Sequence, residues 1–163
     1  MPPRPQVYVA GPLGFTEPGR RYHAEVVLPA LAAAGLDALD PWVLDAEGDA
    51  LFALPPGHAD RVARLAGANR AIGARNAEMI RAAAGVLAFL DGSDVDSGTA
   101  AEIGYAAALA KPIVGVRTDF RPTGDNEATL VNLQVEWFIT ASGGTLCRDF
   151  DDAVTALGRL VRN

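Results

Sequence analysis

Residues 85–116 read GVLAFLDGSDVDSGTAAEIGYAAALAKPIVGV. This stretch begins with a nearly unbroken apolar run (85–90) and continues through an acidic loop that contains glycine. It then passes through a helical segment of small residues (99–110) into a second apolar run (112–116). Continuous apolar runs of strand length are typical of parallel strands that are covered on both faces. The stretch therefore predicts a strand–helix–strand unit of an α/β fold.

The same alternation extends in both directions along the chain. Further strands are predicted at 6–10, 36–43 and 145–147, and further helices at 19–35, 59–84, 128–139 and 150–162. We expect a doubly wound, Rossmann- or flavodoxin-like fold in which a parallel five-stranded sheet is flanked by helices with right-handed crossovers. Ligands of such folds bind beyond the carboxyl ends of the strands.

Proline and glycine qualify several of these elements. Pro29 predicts a kink in the first helix and Gly35 its end, while Pro41 interrupts the second strand. Gly67 and Gly73 weaken the continuity of the helix at 59–84, so this segment is predicted as one long helix or two abutting ones. Residues 44–57 are predicted to form an irregular excursion from the α/β core, with one or two helical turns.

Length and composition restrict the class of protein. The 163 residues fit one domain, and 50% hydrophobic with 21% charged residues is a globular balance. A formal net charge of −6 argues against a polymeric nucleic acid or an anionic membrane as partner. The chain start lacks the apolar stretch of a secretory signal, and no run approaches the length of a membrane span, so the cytoplasm is the expected location.

Several kinds of site lack their sequence signals. Cys147 is the only cysteine, and His23 and His58 show no ligand spacing, so no metal site is expected. Neither a G-x-x-x-x-G-K-[ST] phosphate loop nor a G-x-G-x-x-G after the first strand is present. We therefore expect no nucleotide or metal cofactor.

Four carboxylates fall within twelve residues at the end of the central strand: Asp91, Asp94, Asp96 and Glu102. Thr99-Ala-Ala-Glu102 fits a capping box, in which the glutamate only supports the start of a helix. Alternatively, a carboxylate in the first turn of a helix is kept ionised by the helix dipole. An ionised carboxylate can stabilise or capture the oxocarbenium-like carbon that forms when an N-glycosidic bond breaks.

Four segments in this order resemble the nucleoside 2-deoxyribosyltransferase family: VYVAGP (7–12), DSGTAAEIGY (96–105), KPIVGVRTDFR (111–121) and VNLQ (131–134). The likeness runs from about residue 6 to residue 145. It implies a cofactor-free transferase of nucleoside salvage that passes 2-deoxyribose from a deoxynucleoside to a free nucleobase through a covalent ester.

The resemblance also implies roles for individual residues. Glu102 is the nucleophile, and Tyr8 orients it by a hydrogen bond. Asp96 holds the sugar 5′-hydroxyl, and Asn132 reaches the same hydroxyl from a neighbouring subunit, which implies a homo-oligomer. Gly11, at the end of the first motif, is included among the substrate-binding residues.

The identity of residue 96 bears on the substrate. A related group that hydrolyses deoxynucleoside 5′-monophosphates has serine where this chain has Asp96, and a carboxylate there would repel a phosphate dianion. The sequence thus favours a free 5′-hydroxyl, although Ser97, Arg117 and Arg121 keep the phosphate alternative open.

The residues expected to contact the nucleobase depart from the family pattern. Some members protonate the leaving base with an aspartate at the position of Asn76, but an amide cannot act as a general acid near neutral pH. Glu78, another acid or water would have to supply the proton. Phe15 and Trp42, on loops after the first two strands, could stack on the base or pack in the core.

Two alternative functions stay open on the sequence alone. The first is a hydrolase on the same scaffold that cleaves nucleosides or 5′-mononucleotides with water as the acceptor. The second belongs to another class: a non-catalytic sensor of nucleosides or nucleotides, in which Glu102 serves only as a helix cap.

Overall fold

Five short strands form one parallel sheet in the order β2-β1-β3-β4-β5. The computed structural model of the chain describes residues 3–43, 55–57 and 59–162. All four strand pairs are parallel, with Tyr8 opposite both Leu39 and Val86. The predicted fold class is confirmed. The strands are β1 (Gln6–Ala10), β2 (Asp37–Leu39), β3 (Gly85–Phe89), β4 (Ile113–Val116) and β5 (Thr145–Cys147).

Helices follow the strands in the described part of the chain. They are α1 (Glu17–Tyr22), α2 (Leu28–Ala33), α3 (Arg61–Ala82), α4 (Ser97–Ala108), α5 (Leu133–Ala141) and α6 (Phe150–Leu160). A π-helical turn, His23–Val27, joins α1 to α2. No helix in the described ranges is both long and apolar enough to cross a membrane.

The central strand β3 is buried at every residue. Its side chains alternate between two apolar clusters, one on each face of the sheet: Val86 and Ala88 on one side, Leu87 and Phe89 on the other. α4 and α5 cover the first face, and α2 and α6 the second. This two-sided burial explains why the run at 85–90 lacks a polar alternation.

The first predicted helix contains a π-helical turn directly before Leu28 and Pro29. The Leu28 amide donates to the His23 carbonyl, five residues back, so the chain forms a wide turn. Pro29 has no N–H to donate to a carbonyl of the preceding turn. The wider π-helical turn before it accommodates the missing hydrogen bond. Gly35 ends the helix as predicted, with a φ of 70° and the Leu36 amide bonded to the Leu31 carbonyl at 2.9 Å.

α3 is one continuous helix, which is the first of the two predicted alternatives, and a Cβ atom at Gly67 or Gly73 would meet only open space. Two other boundaries differ from the prediction. β2 ends at Leu39, four residues early, since Asp40 turns the chain before Pro41. α5 begins five residues late, at Leu133. Of the excursion predicted at 44–57, residues 44–54 lie outside the described residues, as does His58.

Candidate active site

Tyr8 and Glu102 meet at the carboxyl edge of the sheet. Tyr8 lies in β1 with a fully buried side chain, and Glu102 lies in α4, which packs across β1 and β3. The Tyr8 hydroxyl donates a hydrogen bond of 2.6 Å to Oε1 of Glu102. The phenol therefore holds one of the two carboxylate oxygens in place.

The start of α4 differs from the predicted capping box. Asp96 is the cap: its Oδ2 accepts the Thr99 amide at 3.0 Å and the Thr99 hydroxyl at 3.1 Å. Thr99 is thus the third residue of the helix, and Glu102 is the sixth. The capping-box interpretation is wrong, because Asp96 and not Thr99 provides the cap oxygen. The placement of Glu102 in the first turn is wrong for the same reason.

Burial is the main influence on Glu102. It raises the pKa of this carboxyl above the ordinary value, and the negative charge of Asp96 raises it further. Hydrogen bonds from Tyr8 and Asn76 act in the opposite direction, without cancelling the rise. A desolvated carboxylate that is held by two neutral donors is more reactive toward a cationic carbon than one in water.

The phenol remains protonated throughout. Burial and the adjacent Glu102 carboxylate raise the pKa of Tyr8 far above the ordinary value of a phenol. Tyr8 consequently acts as a hydrogen-bond donor at physiological pH and carries no charge.

Asn76 is the third member of this group. It lies on α3 and its side-chain amide bonds to Glu102. Its Oδ1 atom is buried and has no hydrogen-bond partner among the described residues. An acceptor without a partner at this position is free for a donor on a bound molecule.

The other two acidic residues of the loop have structural roles. Asp91 accepts the Thr118 amide at 2.7 Å, the Thr118 hydroxyl at 2.8 Å and the Asp119 amide at 2.7 Å, which ties the ends of β3 and β4 together. Asp94 accepts the Val95 amide at 2.7 Å. Of the four carboxylates in this segment, Asp96 and Glu102 are therefore the candidates for catalysis or substrate binding.

A profile of the nucleoside 2-deoxyribosyltransferase family matches residues 7–134, the range that contains Tyr8, Asn76, Asp96 and Glu102. The chain belongs to this family. Comparison with curated protein sequences found no significant match. Membership agrees with the resemblance drawn from the sequence motifs.

Solved structures share the fold at low sequence identity. The 2-desoxiribosyltransferase from Leishmania mexicana is 24% identical, with a TM-score of 0.65 and 98% of each chain covered. The 2-deoxyribosyltransferase from Bacillus psychrosaccharolyticus is 21% identical, with a TM-score of 0.60, 91% of this chain and 90% of that chain covered. A Clostridium botulinum CMP N-glycosidase is 14% identical, with a TM-score of 0.54, 97% of this chain and 99% of that chain covered. The fold thus occurs with transfer and with hydrolysis.

Two residues predicted from the family have local structural roles. Asn132 is exposed and caps α5, with its Oδ1 accepting the Gln134 amide at 3.0 Å. Gly11 follows β1, where a Cβ atom would lie 2.8 Å from Cβ of Phe89, so no other residue fits. Their roles in substrate binding remain predictions.

The two aromatic candidates lie together beside the carboxyl edge. The rings of Phe15 and Trp42 are edge-to-face, with centroids 4.8 Å apart and an interplanar angle of 82°. Phe15 is 69% exposed, so it is not part of the core. Trp42 packs against Gly14, where a Cβ atom would come within 2.0 Å of the indole. Phe15 therefore presents a free surface, whereas Trp42 is held in place.

The two arginines after β4 are already engaged. The fully buried Arg117 donates to the carbonyls of Leu90, Gly92 and Arg121. Arg121 pairs with Asp119, and hydrogen bonds from Arg121 hold the pKa of that carboxyl well below its usual range. The guanidinium of Arg117 is thus held by backbone carbonyls, and a phosphate would have to compete with Asp119 for Arg121.

Three polar residues near the pair had no assigned role on the sequence: His23, Asp40 and Arg75. Asp40 directly follows β2 and so reaches the carboxyl edge next to β1, which was the one available signal. His23 contacts Asp40 from the π-helical turn, and Arg75 precedes Asn76 on α3. Within the described residues, no three His, Cys, Asp or Glu side chains are grouped to hold a metal ion.

Proposed function

We propose that this protein is a nucleoside 2-deoxyribosyltransferase that moves 2-deoxyribose from one nucleobase to another. The observation that carries the proposal is the 2.6 Å hydrogen bond from Tyr8 to a half-buried Glu102 in a member of this family. A half-buried carboxylate, held by donors and not paired with a cation among the described residues, is suited to a carbon that develops positive charge.

The reaction is a double displacement. An oxygen of Glu102 attacks C1′ while the bond from C1′ to the base nitrogen breaks, and the base leaves with the electron pair and takes up a proton. A nitrogen of the acceptor base then attacks C1′, which releases the Glu102 carboxylate, and the acceptor loses its proton. The donors on Glu102 hold the carboxylate in position through both steps.

Water is the proposed source of the proton for the leaving base. Asn76 cannot supply it, because an amide does not titrate near neutral pH. Glu78 is exposed and lies two residues further along α3, about 200° around the helix from Asn76, so it faces away from Glu102. The reaction then favours bases that leave with little acid assistance.

A free 5′-hydroxyl is the proposed feature of the substrate. Asp96 caps α4 with Oδ2, so Oδ1 can accept a hydroxyl proton. A 5′-phosphate would meet this negative charge, and the cationic groups of Arg117 and Arg121 are occupied by carbonyls and Asp119. The arrangement supports nucleosides over 5′-mononucleotides.

A homo-oligomer is proposed to complete the site. Asn132 would reach the 5′-hydroxyl of a neighbouring subunit with the amide nitrogen that the cap does not use. Beside it, α5 exposes Leu133 by 51% and Trp137 by 63%, one helical turn apart. Large apolar side chains at this spacing form a stripe that suits burial against a second copy.

Incubation with deoxyinosine and free adenine tests the function. Transfer produces deoxyadenosine and hypoxanthine in equal amounts and depends on adenine. Deoxyribose that accumulates at the same rate without adenine would instead identify a hydrolase. Binding of the nucleoside without any product, in the natural protein as in Glu102→Ala, would identify a sensor.

A further inference from the structure

We propose that a polar clamp, made of His23, Asp40 and Arg75, positions Trp42 beside the carboxyl edge of the sheet and thereby controls binding of the nucleobase. The identity of the ligand as a nucleobase rests on the proposed function. The clamp itself rests on contacts in the structure.

The first contact of the clamp joins His23 to Asp40. Nε2 of His23 lies 2.9 Å from Oδ2 of Asp40, and the two side chains are only 7% and 9% exposed. Burial opposes ionisation of Asp40, but hydrogen bonds from His23 and from the Trp42 amide lower the pKa of this carboxyl below its usual value. A buried carboxylate is stable only with such donors, so His23 keeps Asp40 charged and in place.

Asp40 in turn fixes Trp42. Its Oδ1 accepts the Trp42 backbone amide at 2.9 Å, which sets the turn after β2. The indole then lies on Gly14, where a Cβ atom would come within 2.0 Å, and it contacts the ring of Phe15. The loops after β1 and β2 are thus locked together through Trp42.

Arg75 holds the same loop from the other side. Its two terminal nitrogens donate to the carbonyls of Pro41 and Val43, each at 3.1 Å. Arg75 precedes Asn76, whose amide bonds to Glu102, and the charges of Arg75 and Asp40 both act on Tyr8. The position of Trp42 is therefore coupled to the helix and the phenol that hold the nucleophile.

None of the three clamp residues is bonded to Glu102, so they are positioning residues. If the clamp sets the wall against which a base binds, its loss raises KM for both donor nucleoside and acceptor base. The chemical step at Glu102 changes little. A purely structural role would lower the amount of folded protein without this selective effect on KM.

The test compares His23→Leu, which removes the donor to Asp40, with His23→Gln, which keeps a donor of similar reach. The matched control is Glu25→Gln, an exposed position two residues along the same turn. Because Trp42 and Trp137 are the only tryptophans, a Trp137→Phe background makes Trp42 the sole tryptophan for acrylamide quenching. Steady-state kinetics with deoxyinosine and adenine are measured on the same variants with Trp137 retained.

We expect His23→Leu to raise the quenching constant about twofold and both KM values about 10-fold, the usual effect of losing a hydrogen bond to a charged group. kcat should stay within about threefold, and His23→Gln should recover most of the loss. If His23→Leu does not fold, Asp40→Asn replaces it, with an intermediate rise in quenching and KM.

Two results would overturn the clamp: unchanged quenching and KM in a folded His23→Leu or Asp40→Asn protein, or a loss confined to kcat. Quenching requires no turnover, so it separates the two proposals. Absence of sugar transfer by the natural protein would count against the proposed reaction, whereas unchanged quenching would count against the clamp.

Discussion

The hydroxyl of Tyr8 lies 2.6 Å from the carboxylate of Glu102, although 94 positions separate the two residues in sequence. Tyr8 is the third residue of β1, and Glu102 lies in the second turn of α4. The parallel sheet places both at one edge, so the contact is a direct product of the topology. Its strength can be measured.

Tyr8→Phe removes the donor without changing the shape of the core. A hydrogen bond to a charged group contributes about 1.5–3 kcal/mol, so we expect kcat to fall roughly 10- to 100-fold. KM should change little, because the phenol contacts the nucleophile and not the substrate. Steady-state transfer kinetics check this, with Tyr105→Phe as the control. An equal loss in both variants would contradict a specific role for Tyr8.

The pH profile of kcat/KM should report the state of Glu102. Burial raises the pKa of this carboxyl, and the nucleophile must be ionised. Activity is therefore expected to fall on the acid side at a higher pH than an ordinary glutamate would give. In Tyr8→Phe, a donor that lowers the pKa is lost, so the acid limb should move to still higher pH. A limb at the pH of an exposed carboxylate would contradict the electrostatics of the site.

Glu102→Gln should abolish transfer and yet stabilise the fold. Because burial raises the pKa of Glu102 in the folded protein, the stability that this group contributes is present below its unfolded pKa and is lost as pH rises through its folded pKa. Glutamine does not titrate, so the gain in Tm should be larger at pH 8 than at pH 5. Thermal unfolding at both pH values checks this, with Glu127→Gln as an exposed control. A Tm of Glu102→Gln below that of the natural protein at pH 8 would contradict this prediction.

Asp96→Asn separates capping from catalysis. Asparagine caps helices as well as aspartate does, so stability should change by only a few tenths of a kcal/mol. KM for deoxynucleosides should rise about 10-fold through the weaker bond to the 5′-hydroxyl. Removal of the neighbouring charge lowers the pKa of Glu102, which moves the acid limb to lower pH, opposite to Tyr8→Phe.

Asp149→Asn is the matched control for this variant, because Asp149 caps α6. It should leave both KM and the acid limb in place. A KM effect of similar size in the two variants would assign Asp96 to the helix alone.

The proposed oligomer can be broken at α5. Leu133→Glu adds a charge to the exposed apolar stripe and should convert the assembly to monomers, with activity falling together with the assembly. Sedimentation velocity measures the state, and Val62→Glu, at a position 79% exposed on α3, is the control. A monomeric natural protein with full activity would exclude a contribution of Asn132 from a second subunit.

The alternation of apolar runs was enough to predict the sheet, since β3 and β4 are buried on both faces and their patterns are unambiguous. Local competition between hydrogen-bond acceptors decided what the sequence left open. Thr99 and Asp96 both can cap α4, and the choice depends on which oxygen reaches a free amide in three dimensions. Pro29 predicted a kink, but the position of the π-helical turn depends on which carbonyl accepts the Leu28 amide.

Predictions for the site divide in a similar way. Tyr8, Asp96 and Glu102 were singled out because motifs of the family fall on them. His23, Asp40 and Arg75 lie in three separate elements, and no motif or spacing connects them. Their contacts arise from packing between the turn after β2, the π-helical turn and α3, which the sequence pattern does not specify.

The most direct test is mass spectrometry of the protein after brief incubation with deoxyinosine and no acceptor base. The account predicts a mass increase of one deoxyribosyl group, located on the peptide that contains Glu102, lost when adenine is added and absent from Glu102→Gln. A natural protein that transfers deoxyribose without this adduct, or a Glu102→Gln protein that transfers at the natural rate, would contradict the account.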